Sequence, residues 1–183
     1  MNAPPARRRS PWAAFTRSKG APITTAHYLG LSPWSMKNIL TLIDLSPVSE
    51  RVVSHAAALA KAAGAHLWIL HIAAPDPDFV GLEVGPQYVR DSRALELRQE
   101  HRTLQAMRDE QRALGVDADA LLVQGYTVDT VFAEADRLKA DLIVLGSHGH
   151  GGLYKALVGS VSEAVLKRTR IPVLVVPPVD RPA

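Results

Sequence analysis

The chain has 183 residues, no cysteine and a formal net charge of +3. This length is enough for one domain with its own hydrophobic core plus an extension, and the absence of cysteine excludes disulfide frameworks and thiolate chemistry. It also fits a reducing compartment, so we expect a cytoplasmic protein, and no apolar run approaches the roughly 20 residues that would allow stable membrane insertion.

Residues 1–35 form a basic arm that is rich in proline, serine and alanine. The arm holds five basic residues and no acidic one, so residues 36–183 carry a formal charge of −2 although the whole chain carries +3. A nucleic-acid-binding domain usually carries its positive charge on the fold itself, and we therefore expect no nucleic-acid partner. The arm is interpreted as a flexible extension, or as a segment before a true start at Met36. The alternative is an arm that binds a membrane surface or a partner.

Strands and helices alternate along residues 36–178, and a short tail follows at 179–183. The apolar run at 36–46 predicts a strand buried on both faces. A helix follows, with Ser46 as its cap, Pro47 at its first position and Gly64 at its end. Its apolar face is predicted to consist of Val52, Val53, Ala56, Leu59, Ala60 and Ala63.

The pattern continues through four more strands and three more helices. A strand is predicted at 66–73, and a loop at 74–87 leads to a helix over about 88–114 that ends at Gly115. The apolar stripe of this helix is Leu97, Leu104, Met107 and Leu114. The remaining elements are a strand at 117–125, a helix capped by Thr127 and ending at 140, a strand at 141–146, a helix over about 160–169 and a strand at 171–178. This alternation predicts one doubly wound α/β domain, with a parallel sheet and helices on both faces.

Two polar or small residues end strands of this predicted sheet. Asp44 ends the first strand and Gly146 ends the fourth. In an open doubly wound sheet, ligands bind beyond the carboxyl ends of the strands, where the winding reverses. If the two strands are neighbours, both residues point into that crevice.

A glycine-rich stretch, GSHGHGGLYKALVGSVSE, follows the fourth strand. Its spacing, Gly-x2-Gly-x9-Gly-Ser, matches neither a Walker loop nor the G-x-G-x-x-G fingerprint. Gly146, Gly149 and Gly159 permit a positive φ or the close approach of another group to the backbone. Gly159 also leads into a helix, whose free N–H groups favour an anion. The stretch therefore predicts a phosphate site held mainly by main-chain N–H groups.

Other interpretations compete at individual residues. Ser160 and Glu163 fit a capping box, which would explain these two residues but not the glycines. His148 and His150 could bind a metal, but no acidic or cysteine cluster lies near them in the sequence, so we expect no metal site formed by side chains. His71 is interpreted as a core histidine rather than a ligand. No side chain is marked out as a general base, so no catalytic residue is expected.

The glycine spacing after an apolar strand resembles that of the nucleotide-binding members of the universal stress protein family. MKNILTLIDLSPVSERVVSHAAALA resembles the first strand and helix of that family, and LWILHIA its second strand. VLGSHGHGGLYKALVGSVSEAVLKRTRIPVLVVP resembles its carboxyl-terminal part, and the likeness covers about 36–178. The resemblance implies a five-stranded parallel sheet in the order 3-2-1-4-5. It also implies that the protein binds ATP, with Mg²⁺ bridging the phosphates.

The resemblance also implies roles for individual residues. Asp44 would hold the ribose hydroxyls or the polar edge of the base, and the backbone of Ile72 would meet adenine. Leu145 and Gly146 would form the floor beneath the ribose. The phosphates would be held by Gly149, Gly159, Ser160, Val161 and Ser162. The two apolar residues before Asp44 depart from the family pattern, in which a small or polar residue often stands there.

These implications favour an ATP-binding stress-response protein that acts as a nucleotide-dependent switch. One alternative is a weak ATPase or an autophosphorylating phosphotransferase, and another is a nucleotide-free interaction module.

The strand at 171–177 is short and uncharged, and as an edge strand it would invite pairing with a second copy of the chain. We therefore expect a homodimer formed through this strand.

Overall fold

The computed structural model describes residues 36–75, 86–147 and 159–178. Within these ranges, five parallel strands form a sheet in the order β3-β2-β1-β4-β5. In chain order the elements are β1 (Asn38–Ile43), α1 (Val48–Ala63), β2 (His66–Ala73), α2 (Gln87–Ala113), β3 (Ala118–Gln124), α3 (Thr127–Arg137), β4 (Leu142–Gly146), α4 (Ser160–Arg168) and β5 (Val173–Val176). The order confirms the predicted sheet and makes β1 and β4 neighbours.

β1 lies in the middle of the sheet, and its composition suits that position. Ile39 pairs with Leu67 of β2 on one side and with Leu142 of β4 on the other. Leu40 and Thr41 are fully buried, and the Thr41 hydroxyl has no hydrogen-bond partner in the described structure. A strand covered on both faces requires apolar residues throughout rather than in alternation, which is why the apolar run located it correctly.

Helices cover both faces of the sheet, as a doubly wound fold requires. On one face, Ile39 and Ile43 of β1 belong to a cluster with Val53 of α1 and Leu104 of α2. On the other face, Leu40 belongs to a cluster that contains buried residues of α3 and α4. Successive residues of β1 therefore point to opposite cores.

The start of α1 differs from the prediction, whereas its end agrees with it. The helix begins at Val48 and no side chain caps it, so the predicted capping role of Ser46 is wrong. The Ser46 N–H instead donates to the carboxylate of Asp44 in the turn that precedes the helix. At the other end, Gly64 has a φ of 64° and its N–H bonds to the carbonyl of Ala60, a common glycine-dependent helix ending.

The buried faces of α1 and α2 also differ in part from the predicted ones. In α1, Ala57 is buried, while Leu59 is 38 % exposed and Ala63 is exposed. In α2, Leu104 is fully buried, but Leu114 lies beyond the helix end and is 59 % exposed. In α1 the apolar pattern marks an arc of the helix, and packing against the sheet decides which residues of that arc are buried. In α2 the helix ends before Leu114.

α3 is shorter than predicted. Thr127 is its first residue rather than its cap, and no side chain caps the helix. The helix ends at Arg137, and Lys139 has a φ of 52°, so the chain has left the helix before residue 140.

Among the helices that the structure describes, none is both long and apolar enough to cross a membrane.

Candidate functional site

The carboxyl end of β1 leads into a turn that is held by the side chain of Asp44. Asp44 Oδ1 accepts hydrogen bonds from the Ser46 N–H (3.0 Å) and from the Ser49 hydroxyl (3.2 Å). Leu45, between them in sequence, has a φ of 59°, a left-handed conformation that costs about 1–2 kcal/mol in a residue with a Cβ atom. The two hydrogen bonds offset that cost and fix the orientation of the carboxylate. A carboxylate has several acceptor positions, so it can hold the turn and also accept from a ligand hydroxyl.

The amino end of α4 is bound to the carboxyl end of β4. The Gly159 N–H donates to the Ser147 carbonyl at 2.7 Å, and the Ser162 hydroxyl donates to the Gly146 carbonyl at 2.8 Å. Ser147 in turn donates its N–H to the carbonyl of Val176 in β5. These bonds bring Gly146, Gly159 and Ser162 together at the carboxyl edge of the sheet. Because β4 lies beside β1, Asp44 follows the neighbouring strand at this same edge.

The backbone conformation explains neither Gly146 nor Gly159. Gly159 has a φ of −65° and a ψ of 158°, values that any residue adopts. Among the described glycines, those with a positive φ are Gly64 and Gly115. The sequence suggested two reasons for these glycines. The first, a positive φ, is wrong at Gly146 and Gly159. The second, close approach of another group to the backbone, is the remaining explanation.

The predicted capping box at the start of α4 is not formed. Gly159 occupies the cap position and accepts the Glu163 N–H at 2.8 Å, and no side chain caps the helix. The carboxylate of Glu163 pairs with the Lys167 ammonium at 2.6 Å, which lowers the pKa of Glu163. Ser160 and Val161 are exposed at the amino end of the helix, whereas Ser162 is buried. Among the described residues, no side chain caps the first turn of α4, and N–H groups at such a helix start suit a phosphate.

The other residues that were expected to contact the base or the ribose lie on strands. Ile72 is half-buried in β2, where it pairs with Val123 of β3, and Leu145 is buried in β4. His71 donates from Nδ1 to the Ile43 carbonyl at 3.0 Å, and its Nε2 lies 3.9 Å from Glu100 Oε2. His71 therefore has partners within the protein, in agreement with the interpretation of a core histidine. The sequence pattern gave no sign of the contact with Glu100, because that residue lies on a different element.

Several predicted features lie outside the residues that the structure describes. These are Gly149 and the two histidines of the glycine-rich stretch. Across 36–75, 86–147 and 159–178, no group of three or more His, Asp or Glu side chains is arranged to hold a metal ion.

The fold and the sequence agree with those of one family. The model of the universal stress protein family matches residues 36–177. A universal stress protein of Thermus aquaticus is 34 % identical over 142 residues, covering 76 % of this chain and 98 % of that protein. One from Methanocaldococcus jannaschii is 32 % identical over 140 residues, covering 76 % and 81 %. A crystal structure of a universal stress protein in complex with cAMP superposes with a TM-score of 0.59 at 27 % identity, covering 78 % of this chain and 97 % of that one. The chain therefore belongs to the universal stress protein family.

Proposed function

We propose that this protein binds ATP, together with Mg²⁺, at the carboxyl edge of β1 and β4. The observation that carries the proposal is the bonding of the uncapped amino end of α4 to the end of β4, beside the strand that leads to Asp44. A helix start with free N–H groups attracts phosphate, and a fixed carboxylate nearby accepts from ribose hydroxyls. The family relative with bound cAMP supports an adenine nucleotide as the ligand class.

The proposed roles follow the order of the groups in the nucleotide. Asp44 accepts from the ribose hydroxyls or the base, and the backbone of Ile72 contacts adenine. Leu145 and Gly146 lie beneath the ribose, where a glycine permits close approach. The phosphates are bound by main-chain N–H groups of Gly149, Ser160, Val161 and Ser162 and by the Ser160 hydroxyl. The Gly159 N–H already donates to the Ser147 carbonyl, so Gly159 contributes by letting a phosphate approach closely.

We propose that the protein acts as a switch rather than as an enzyme. Catalysis of phosphoryl transfer requires a positioned nucleophile and charge stabilisation on the γ-phosphate. In this proposal Asp44 holds the turn through Ser46 and Ser49 and accepts from the ribose or the base, so we do not assign it to activating water. We therefore expect phosphate release to be orders of magnitude slower than the usual enzyme range of about 1–10³ s⁻¹. A rate near one per second that survives repurification would favour the ATPase, and radioactive γ-phosphate retained on the protein would favour the phosphotransferase.

Calorimetry with ATP and Mg²⁺ tests nucleotide binding. The substitution Gly159→Val is expected to weaken binding by at least about tenfold, which corresponds to about 1.4 kcal/mol. Because valine can adopt the dihedral angles of Gly159, a loss of affinity would report blocked approach rather than backbone strain. Val165→Ala, on the buried side of the same helix, is the matched control for lost stability and should leave the affinity unchanged.

Two outcomes would contradict the proposal. If nucleotide-free, folded wild-type protein gives no heat and no thermal shift with ATP, the interaction module is the better description. If Gly159→Val and Val165→Ala lower the affinity equally, the glycine does not mark the phosphate position.

We further propose a cytoplasmic location and no nucleic-acid partner, both resting on composition alone.

A further inference from the structure

His71 links three elements around the proposed nucleotide site. Its side chain lies between the last residue of β1 and the middle of α2, and only 12 % of it is exposed. On the β1 side, Nδ1 lies 3.0 Å from the Ile43 carbonyl oxygen. On the α2 side, Nε2 lies 3.9 Å from Glu100 Oε2, a buried atom with no hydrogen-bond partner in the described structure.

The partner of Nδ1 decides which ring nitrogen carries the hydrogen. A carbonyl oxygen can only accept, so Nδ1 donates, and in the neutral ring Nε2 is then an acceptor. The 3.9 Å between Nε2 and Glu100 Oε2 is longer than a direct hydrogen bond and short enough for an electrostatic contact or one bridging water. The ring is therefore hydrogen-bonded to the backbone of β1 and lies against a carboxylate of α2.

The position of this bond matters because of what comes next in the sequence. Ile43 immediately precedes Asp44, and the turn after it contains the left-handed Leu45. The backbone of this turn is fixed downstream by the bonds to Asp44 Oδ1 and upstream by the bond from His71. His71 is also covalently next to Ile72. One side chain thus fixes the spacing between the two proposed contacts with the nucleoside.

We propose that His71 is a positioning residue for Asp44, and that Glu100 holds the ring and so couples α2 to the nucleotide site. This inference rests on the proposed nucleotide site. It adds a residue that need not touch the nucleotide and an element, α2, that lies on the opposite face of the sheet from α4. Displacement of Glu100 by a contact on α2 would loosen the turn that carries the ribose ligand.

Two amide substitutions separate the two sides of the ring. The amide nitrogen of asparagine lies near the position of Nδ1, and that of glutamine lies near Nε2. We expect His71→Asn to keep the bond to Ile43 but to lose the contact with Glu100, and so to bind ATP about threefold more weakly than the wild type, as Glu100→Gln does. We expect His71→Gln to lose that bond and to weaken ATP binding by about tenfold, the factor for one positioned hydrogen bond.

The controls distinguish positioning from a general loss of stability. Met107→Ala removes packing from the same helix and should lower the melting temperature without changing the affinity for ATP. Glu100→Gln removes the carboxylate charge beside the ring and should weaken ATP binding by about threefold, within the range of a weak electrostatic contact, whereas Glu110→Gln, an exposed change on α2, should not. If His71→Gln fails to fold, this glutamate pair carries the test.

A second readout does not depend on ATP. The Ser46 amide donates to Asp44, so its hydrogen exchange reports the turn directly. We expect faster exchange in His71→Gln than in His71→Asn or in Met107→Ala. If wild-type protein binds no ATP, the proposed function fails. The hydrogen exchange of the Ser46 amide in the variants still tests whether His71 positions the turn. Equal affinities and equal exchange in the asparagine and glutamine variants would overturn the inference.

Discussion

Asp44 combines a structural role with a proposed binding role. Its Oδ1 accepts from the Ser46 N–H and the Ser49 hydroxyl, and these bonds stabilise a turn with an unfavourable Leu45 conformation. Removing the whole carboxyl group should therefore affect both the turn and the ligand. An amide of the same shape separates the two effects, because asparagine keeps an oxygen acceptor at Oδ1 but loses the charge and one acceptor oxygen.

We predict that Asp44→Asn weakens ATP binding while changing the melting temperature little. Asp44→Ala should weaken binding as well, and it should also lower the free energy of unfolding by about 1–3 kcal/mol, since two donors in the turn lose their acceptor. Calorimetry and thermal denaturation measure the two quantities. Asp136→Asn, an exposed change on α3, is the control. Unchanged affinity in Asp44→Asn would contradict the proposed ribose contact.

At the scale of elements, the strands were predictable, whereas the cap residues at the helix starts were not. β1 and β4 are covered on both faces, so apolar runs located them. Ser46 and Ser160 were predicted as caps from residue type, but the cap position depends on where the backbone leaves the helix, and Pro47 and Gly159 occupy it. The contact of His71 with an α2 carboxylate was unpredictable for a related reason, because it arises only when two elements dock.

β5 lies at one edge of the sheet, and its pairing with β4 shows which backbone groups remain for a partner. The carbonyls of Pro172 and Val176 accept from β4 and from the residue after it. Since backbone groups alternate in direction along a strand, those of Val173 and Val175 point away from β4. Both side chains also pack against the core on the α3 and α4 face. Replacing them with lysine would therefore disturb the fold as well as an interface.

Proline at position 175 is the cleaner test of a homodimer formed through this edge. Val175→Pro removes an outward N–H without removing a bond to β4, so we predict a shift from dimer to monomer with a small change in melting temperature. Val175→Ala loses a similar part of the side chain and keeps the N–H, and it should remain dimeric. Analytical ultracentrifugation measures the outcome. A wild type that is monomeric at micromolar concentration would refute the proposed dimer.

At the scale of the whole molecule, we propose that residues 36–178 fold and bind nucleotide on their own. All five strands and both hydrophobic clusters lie within this range, and the family match spans almost the same residues. The sequence located this domain through its alternating pattern. The strand order, by contrast, was implied only by the family resemblance, because local patterns do not specify which strands pair.

We predict that a chain starting at Met36 has the same melting temperature and the same affinity for ATP as the full chain. The basic arm has no periodic apolar face that could pack on the domain. Circular dichroism and calorimetry on the two proteins provide the comparison. Loss of folding after the truncation would show that the arm belongs to the domain, and a loss of affinity alone would assign it to the site.

The hydrogen bond between the Gly159 N–H and the Ser147 carbonyl has a consequence for protein engineering. It joins the two ends of segment 148–158 at 2.7 Å, so the segment begins and ends at the same place whatever its length. The entropic cost of closing a loop grows slowly, by about 0.6 kcal/mol for each doubling of its length. This position therefore suits the insertion of foreign sequence, such as a reporter peptide or the corresponding segment of a relative. We expect such grafts to keep the fold, as judged by thermal denaturation, and those that replace Gly149 to lose its proposed phosphate contact.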